Sequence, residues 1–263
     1  YANENIQDVN AERNPSAIKN VGVDHPNAMA GDVVTYGITA HPNDPERRLM
    51  LLNFFEDANL QVGKEIINAI LAGDSAKYIT NFRQVVFEQP SESDRSAMTR
   101  YRRRVLAYRA LFAGAGFAVP ENKKPETDKL FNAGLLQALE NARGKGDGEY
   151  ASAARTFRDP GGSWANLGGA FSALANFMNT DDYKEFESQY IAKSSTGEKW
   201  ADTDFEKILE MFVQPNGRRQ IGKARPHHSS STTDDYVRQI HDDLVAGRLV
   251  IVDQSSGDPE VNK

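Results

Sequence analysis

Asp253 is a candidate catalytic residue because it ends a run of aliphatic residues. Val250, Ile251 and Val252 precede it, and this pattern is typical of a parallel strand that is buried on both faces. Because ligands of open α/β sheets bind at the carboxyl ends of the strands, a carboxylate here could hold Mg²⁺ beside a nucleotide. Gln254 follows it, where a hydrolytic enzyme would need a base such as glutamate. The alternative is a structural role, in which Asp253 caps the turn after the strand.

A second candidate is a cationic segment that contains Arg218, Arg219, Lys223 and Arg225. The Gly, Pro and Ser residues around these side chains predict a loop over residues 214–231. A cationic loop could bind the phosphates of a nucleic acid or, as an arginine finger, act on the nucleotide of a neighbouring subunit. A solvated surface loop would have the same composition, so both interpretations stay open.

The sequence lacks a phosphate-binding loop of its own. That loop has the pattern Gly-x-x-x-x-Gly-Lys-Ser/Thr, which lets backbone N–H groups converge on phosphates. The nearest strings, residues 144–146 and 196–199, have the wrong spacing and follow no predicted strand. His227 and His228 are adjacent and have no nearby ligand set, so we predict no metal site.

A third basic group lies on a predicted helix that begins near Asp94. Arginines and tyrosines alternate along it, which would suit binding to a nucleic-acid backbone. The tyrosines fall on the apolar stripe of the helix, so we favour an interpretation in which the arginines form its solvated face. The residues concerned are Arg100, Tyr101, Arg102, Arg103, Arg104, Tyr108 and Arg109.

The composition predicts a soluble protein with one large domain or two smaller ones. The 263 residues include no cysteine, which excludes disulfides and thiolate metal sites and favours a cytoplasmic location. The formal net charge of −6 excludes a generally basic nucleic-acid-binding protein, although a local basic loop is compatible with it. No stretch of sequence contains the ~18 apolar residues that a membrane-spanning helix needs.

Strands are predicted near both ends of the chain. Residues 32–38 are rich in β-branched and aromatic residues, and glycine and proline flank them. Residues 49–55 fit a strand or a helix, and their aromatic content favours a strand. Towards the other end, a helix that starts near Thr233 and stops at Gly247 leads into a strand over residues 248–253.

Helical periodicity dominates the sequence between these strands. The clearest helix begins after Ser163, a favourable N-cap, and its apolar residues recur at three- and four-residue steps. Thr203 and Glu206 have the spacing of a capping box at the start of another helix.

The predicted fold is therefore an α/β fragment that is predominantly helical. Residues 1–58 and 233–263 would contribute edge strands to one sheet, and residues 59–232 would form a large α-helical insertion between them. Because both parts of the sheet are short, we expect the remaining strands to lie outside this chain.

Together these segments resemble the HerA-type ATPases, which are RecA-like P-loop DNA translocases of the HerA/FtsK group. The first four residues, from Tyr1 to Glu4, are similar to the end of the Asp-x-x-Gly-Glu-Tyr element that follows the second core strand of that family. The similar segments are residues 1–4, 32–38, 43–55, 194–197, 211–217 and 247–258.

The resemblance implies a parent protein that binds ATP and Mg²⁺, forms a ring, expected to be a hexamer, and moves along DNA. It implies that the ATP-binding loop precedes Tyr1 and that the acidic Walker B strand follows Lys263. Residues 250–253 would then form an earlier core strand rather than a magnesium-binding one. Tyr1 becomes a candidate cofactor-binding residue, and the cationic segment would face DNA or a neighbouring subunit.

A different class of function also fits the sequence. The helical region could be a protein-interaction module without catalysis that docks a partner such as an effector nuclease. Amphipathic helices with aromatic stripes suit either interpretation.

Overall fold

The computed structural model describes residues 33–37, 44–142, 148–194, 197–231 and 236–253. The chain divides into two compact units. The sheet unit comprises Tyr1–Asn59 and Pro226–Lys263, and the helical unit comprises Leu60–Arg225. The described residues are predominantly helical, with a small parallel sheet, as the predicted fold class requires.

The sheet unit contains three parallel strands in the order β2-β1-β3. Strand β1 spans Val33–Gly37, β2 spans Arg48–Leu49 and β3 spans Leu249–Asp253. β1 pairs with β3 over its whole length, so that Gly37 lies opposite Asp253. Helix α10 (Tyr236–Val245) leads into β3, and Gly247 with φ of +78° allows the tight turn between them.

The prediction that β3 is buried on both faces is wrong for the described part of the sheet. Ile251 and Asp253 are buried, whereas Leu249 and Val252 are 46% and 40% exposed. The reason is that β3 lies at the edge of the described sheet, where alternate side chains keep access to solvent.

The prediction of a strand over residues 49–55 is also wrong for most of its length. β2 ends at Leu49, Leu52 forms one isolated bridge to His228, and the next residues form a turn. Phe54 and Phe55 are both buried, and two successive side chains of a strand would point to opposite faces.

The helical unit contains nine α-helices among its described residues. In chain order α1 to α9 span Leu60–Ile70, Lys77–Arg83, Arg95–Gly114, Ala133–Asn141, Glu149–Arg158, Trp164–Phe177, Asp181–Lys193, Thr203–Val213 and Gly217–Ile221. A 3₁₀ helix, Gly222–His227, follows α9. Ser163 caps α6 as predicted, because its side chain accepts a hydrogen bond from the backbone N of Asn166.

Two local predictions in this unit need correction. The N-cap of α8 is Asp202 rather than Thr203, since the Asp202 carboxylate accepts from the backbone N of Phe205 at 2.9 Å. Residues 214–231 contain α9 and the 3₁₀ helix rather than a continuous loop. This segment is anchored by Ile221, which is fully buried, and by Gly217, where a Cβ would lie 2.1 Å from the carbonyl oxygen of Met211.

Aromatic side chains fill the core of the helical unit. Phe131 stacks on Phe157 with ring centroids 4.0 Å apart, and Phe171 packs against Phe157 at 5.3 Å. Trp200 is 1% exposed and joins the same cluster through Phe205. The rings hold α5, α6 and α8 together through burial of apolar surface.

Candidate functional site

The carboxyl ends of β1 and β3 carry a buried group of charges, which we call the strand-end ion cluster: Asp44, Arg47 and Asp253. Arg47 Nη1 lies 2.8 Å from Asp253 Oδ2, and the two side chains are 1% and 0% exposed. Arg47 Nε lies 3.7 Å from Asp44 Oδ2. The cluster is therefore an interior ion network at the edge of the sheet where ligands of α/β proteins bind.

The backbone explains why Arg47 reaches this position. Its N–H donates to the carbonyl of Asp44 at 3.2 Å, and the Met50 N–H donates to the carbonyl of Gly37 at 2.8 Å. The Arg47 side chain then passes directly over Gly37, where a Cβ would lie 2.6 Å from Arg47 Cδ. Only glycine leaves room for this arrangement.

Asp253 does not fit a magnesium ligand in this arrangement. Its carboxylate is completely buried and ion-paired with Arg47, so a cation would have to displace the guanidinium. Within the described residues, no group of three His, Asp or Glu side chains could hold a metal ion. The geometry instead gives Asp253 the task of fixing Arg47, the residue before β2, against the end of β3.

A second charged group, on the sheet unit, centres on Asp243 of α10. Its Oδ2 accepts hydrogen bonds from the Tyr36 hydroxyl at 2.7 Å and from Arg48 Nη1 at 2.8 Å. Arg248 Nη1 donates to Oδ1 of the same carboxylate. The hydrogen bond from Tyr36 lowers the pKa of Asp243, and Arg248 and Arg48 lower it further against the effect of burial.

The cationic segment belongs to the helical unit, and its members have different environments. Arg218 is half-buried: Nη2 donates to the carbonyl of Gly168 at 3.4 Å, and its guanidinium lies over the Phe212 ring. Arg225 is exposed, and its Nε donates to the carbonyl of Gly222 at 3.0 Å. Arg219 in α9 and Lys223 in the 3₁₀ helix are exposed as well, so three of the four cations are accessible to solvent.

The arginines of α3 do not all lie on a solvated face, and the prediction is wrong for Arg103. This side chain is 5% exposed, and its Nε and Nη1 donate to the carbonyls of Leu130 and Trp200 at 3.0 and 2.9 Å. Its guanidinium lies 4.1 Å from the centroid of the Trp200 ring. Burial lowers the pKa of Arg103 to about 10. Arg102, one position earlier, is exposed as predicted.

Tyr1, the predicted cofactor-binding residue, lies outside the described residues. The sequence did not predict that four further charged or polar residues take part in these groups: Tyr36, Asp44, Arg47 and Asp243. The three-residue spacing of Asp44 and Arg47 just after a predicted strand was the available signal, because it suits a turn that returns a charge to the strand end.

No protein-family model, curated protein or solved structure matches this chain. None of the helices within the described ranges is long and apolar enough to cross a lipid bilayer.

Proposed function

We propose that this chain is an internal part of a HerA-type ATPase, a ring-forming cytoplasmic motor that couples ATP hydrolysis to movement along DNA. The observation that carries the proposal is the parallel pairing of β1 with β3. These strands come from opposite sides of the helical unit in sequence, which is the arrangement expected of an α/β nucleotide-binding core with a helical insertion.

In this proposal the chain supports the motor core rather than supplying its catalytic centre. The groups that bind the ATP phosphates and Mg²⁺ would belong to other parts of the parent protein. Asp253 and Arg47 would fix the end of β3, and the proposed task of the helical unit is to present Arg219 and Lys223. Two exposed cations close together in sequence suit the phosphates of DNA.

The test uses the full-length protein that contains this chain. We expect ATP hydrolysis that is stimulated by DNA and a ring-sized species in analytical ultracentrifugation. The double variant Arg219→Ala, Lys223→Ala should weaken DNA binding about tenfold, with a shallower salt dependence, because phosphate contacts release counterions. Hydrolysis without DNA should stay unchanged.

The control is a double variant that also removes two exposed cations, Arg155→Ala with Lys193→Ala. It should bind DNA like the wild type. Equal losses of DNA affinity in both double variants would mean that the effect comes from net charge alone. A full-length protein without any ATP hydrolysis would overturn the motor proposal.

The second candidate is a protein-interaction module, and the observation in its favour is that Leu60–Arg225 forms a compact unit with its own aromatic core. Under this alternative the parent would lack a phosphate-binding loop and would not hydrolyse ATP. A partner protein, such as a nuclease, would co-purify with it through the helical unit.

A further inference from the structure

The guanidinium of Arg218, in the cationic segment, lies against three helices of the helical unit. Nη2 donates to the carbonyl of Gly168 in α6 at 3.4 Å. Cζ lies 5.7 Å from the centroid of the Phe212 ring in α8, which is within the range of a cation–π contact. At the end of α3, a Cβ on Gly114 would lie 3.4 Å from Arg218 Nε. The side chain therefore connects α9 to α3, α6 and α8.

The backbone of α9 lies close to neighbouring helices at both of its ends. Its first residue is Gly217, where a Cβ would lie 2.1 Å from the carbonyl oxygen of Met211. Gly222 follows the helix, and a Cβ there would lie 3.2 Å from the carbonyl oxygen of Ala115. Because glycine has no side chain, the backbone can approach α8 and the end of α3 at these two points. These contacts fix the position of α9, and the contacts of Arg218 limit its rotation about its own axis.

Arg219, the next residue, has the same chemistry as Arg218 but a different environment. It is exposed, because successive residues of an α-helix point about 100° apart. A phosphate group needs a guanidinium with accessible N–H donors. An exposed arginine offers all of its donors, whereas a half-buried arginine that contacts a carbonyl and an aromatic ring does not. The two neighbouring arginines therefore suit different tasks within one site.

We propose that Arg218 is a positioning residue of the DNA site, which holds α9 in place so that Arg219 faces the phosphates. Arg218 itself contacts no phosphate. Without its contacts, α9 would have to become ordered when DNA binds, and this loss of conformational entropy would lower the affinity. The inference rests on the proposed function, because it concerns the same DNA site.

The experiment compares Arg218→Lys with Arg219→Lys in the full-length protein. Lysine keeps the charge of arginine but lacks its planar group, so it cannot replace a guanidinium that contacts a carbonyl and a ring. At an exposed phosphate contact, lysine is an adequate point charge. Arg218→Lys should therefore weaken DNA binding about fivefold with an unchanged salt dependence, whereas Arg219→Lys should stay within about twofold of the wild type. Without DNA, hydrogen exchange of the α9 amides should become faster only in Arg218→Lys.

Gly114→Leu is a second test that changes no charge. It places a side chain beside the guanidinium of Arg218, so it should lower the DNA affinity to a similar extent. The matched control is Gly169→Leu on α6, where a Cβ meets no atom within 4 Å. This control should bind DNA like the wild type. Circular dichroism verifies that each variant is folded.

The outcomes separate the role of Arg218 from the proposed function. If the wild type binds no DNA, the proposed function fails and this inference fails with it. If the wild type binds DNA but Arg218→Lys binds it as tightly as Arg219→Lys, only the role of Arg218 is overturned. Equal DNA affinities of Gly114→Leu and Gly169→Leu would overturn that role as well.

Discussion

Arg47 Nη1 and Asp253 Oδ2 are 2.8 Å apart in the interior of the sheet unit. The two residues are far apart in sequence, and their pairing joins the residue before β2 to the end of β3. A buried ion pair contributes little relative to apolar residues of the same shape, but loss of one partner leaves a charge that water cannot reach. The pair therefore makes the residue before β2 and the end of β3 depend on each other for stability.

Asp253→Asn should destabilise the sheet unit by about 3 kcal/mol, because Arg47 would lose the buried carboxylate that neutralises it. Hydrogen exchange of the β1 amides measures this free energy of opening. Asp242→Asn is the matched control: Asp242 forms an exposed pair with Arg238 at 3.8 Å. Its effect should stay within about 0.5 kcal/mol. Similar values for the two variants would contradict a structural role for the buried pair.

Gly37→Ala should destabilise the same unit by about 1–3 kcal/mol, because the new methyl group would overlap with Arg47. The Cβ would lie 2.6 Å from Cδ and 2.8 Å from Nη1 of that side chain. Gly169→Ala on α6 is a suitable control, since a Cβ there meets no atom within 4 Å. The control should raise helix stability by about 0.5–1 kcal/mol. Thermal unfolding of both variants tests whether the two changes in stability have opposite signs.

The stability of the sheet unit should depend on the charge of Asp243. In the folded state the pKa of Asp243 lies below its usual value of 3.8. Its contribution to the free energy of unfolding is therefore complete at any pH above the unfolded-state pKa. The contribution is lost as the pH falls through the lower folded-state pKa. The difference in unfolding free energy between wild type and Asp243→Asn should therefore be constant near neutral pH and shrink below about pH 4. A pH-independent difference would show that the carboxylate charge is not involved.

Arg103→Lys should lower the stability of the helical unit by about 2 kcal/mol, because lysine cannot make the two carbonyl hydrogen bonds and the planar contact with Trp200. Arg102→Lys, at the exposed neighbouring position, should change stability by less than about 0.5 kcal/mol. Circular dichroism during urea unfolding measures the free energy of unfolding of both variants. Equal stability of the two variants would mean that the geometry of the Arg103 guanidinium is not needed.

Local signals in the sequence predicted much of this fold. Ser163 and the apolar residues that follow it at three- and four-residue spacing predicted α6. Gly247 predicted that α10 ends before β3. These features depend on residues close in sequence. The β-branched character of the segment around β1 likewise predicted a strand, although its central position between β2 and β3 in the described sheet was not predicted.

The features that escaped prediction depend on contacts between distant residues. Arg103 is buried because Trp200 lies 97 positions later and offers both a carbonyl and a ring. The sequence left both a catalytic and a structural role open for Asp253, because its ion-pair partner, Arg47, is near the other end of the sequence. Periodicity along one helix or strand carries no information about such partners.

Both tryptophans of the chain, Trp164 and Trp200, lie in the helical unit. Intrinsic tryptophan fluorescence therefore reports the unfolding of that unit alone, whereas the ring of Tyr36 belongs to the sheet unit. Trp200 is buried beneath Arg103, so its emission should shift to longer wavelength when water reaches the ring. Comparison of this signal with hydrogen exchange at β1 would reveal whether the two units unfold in one transition or in two.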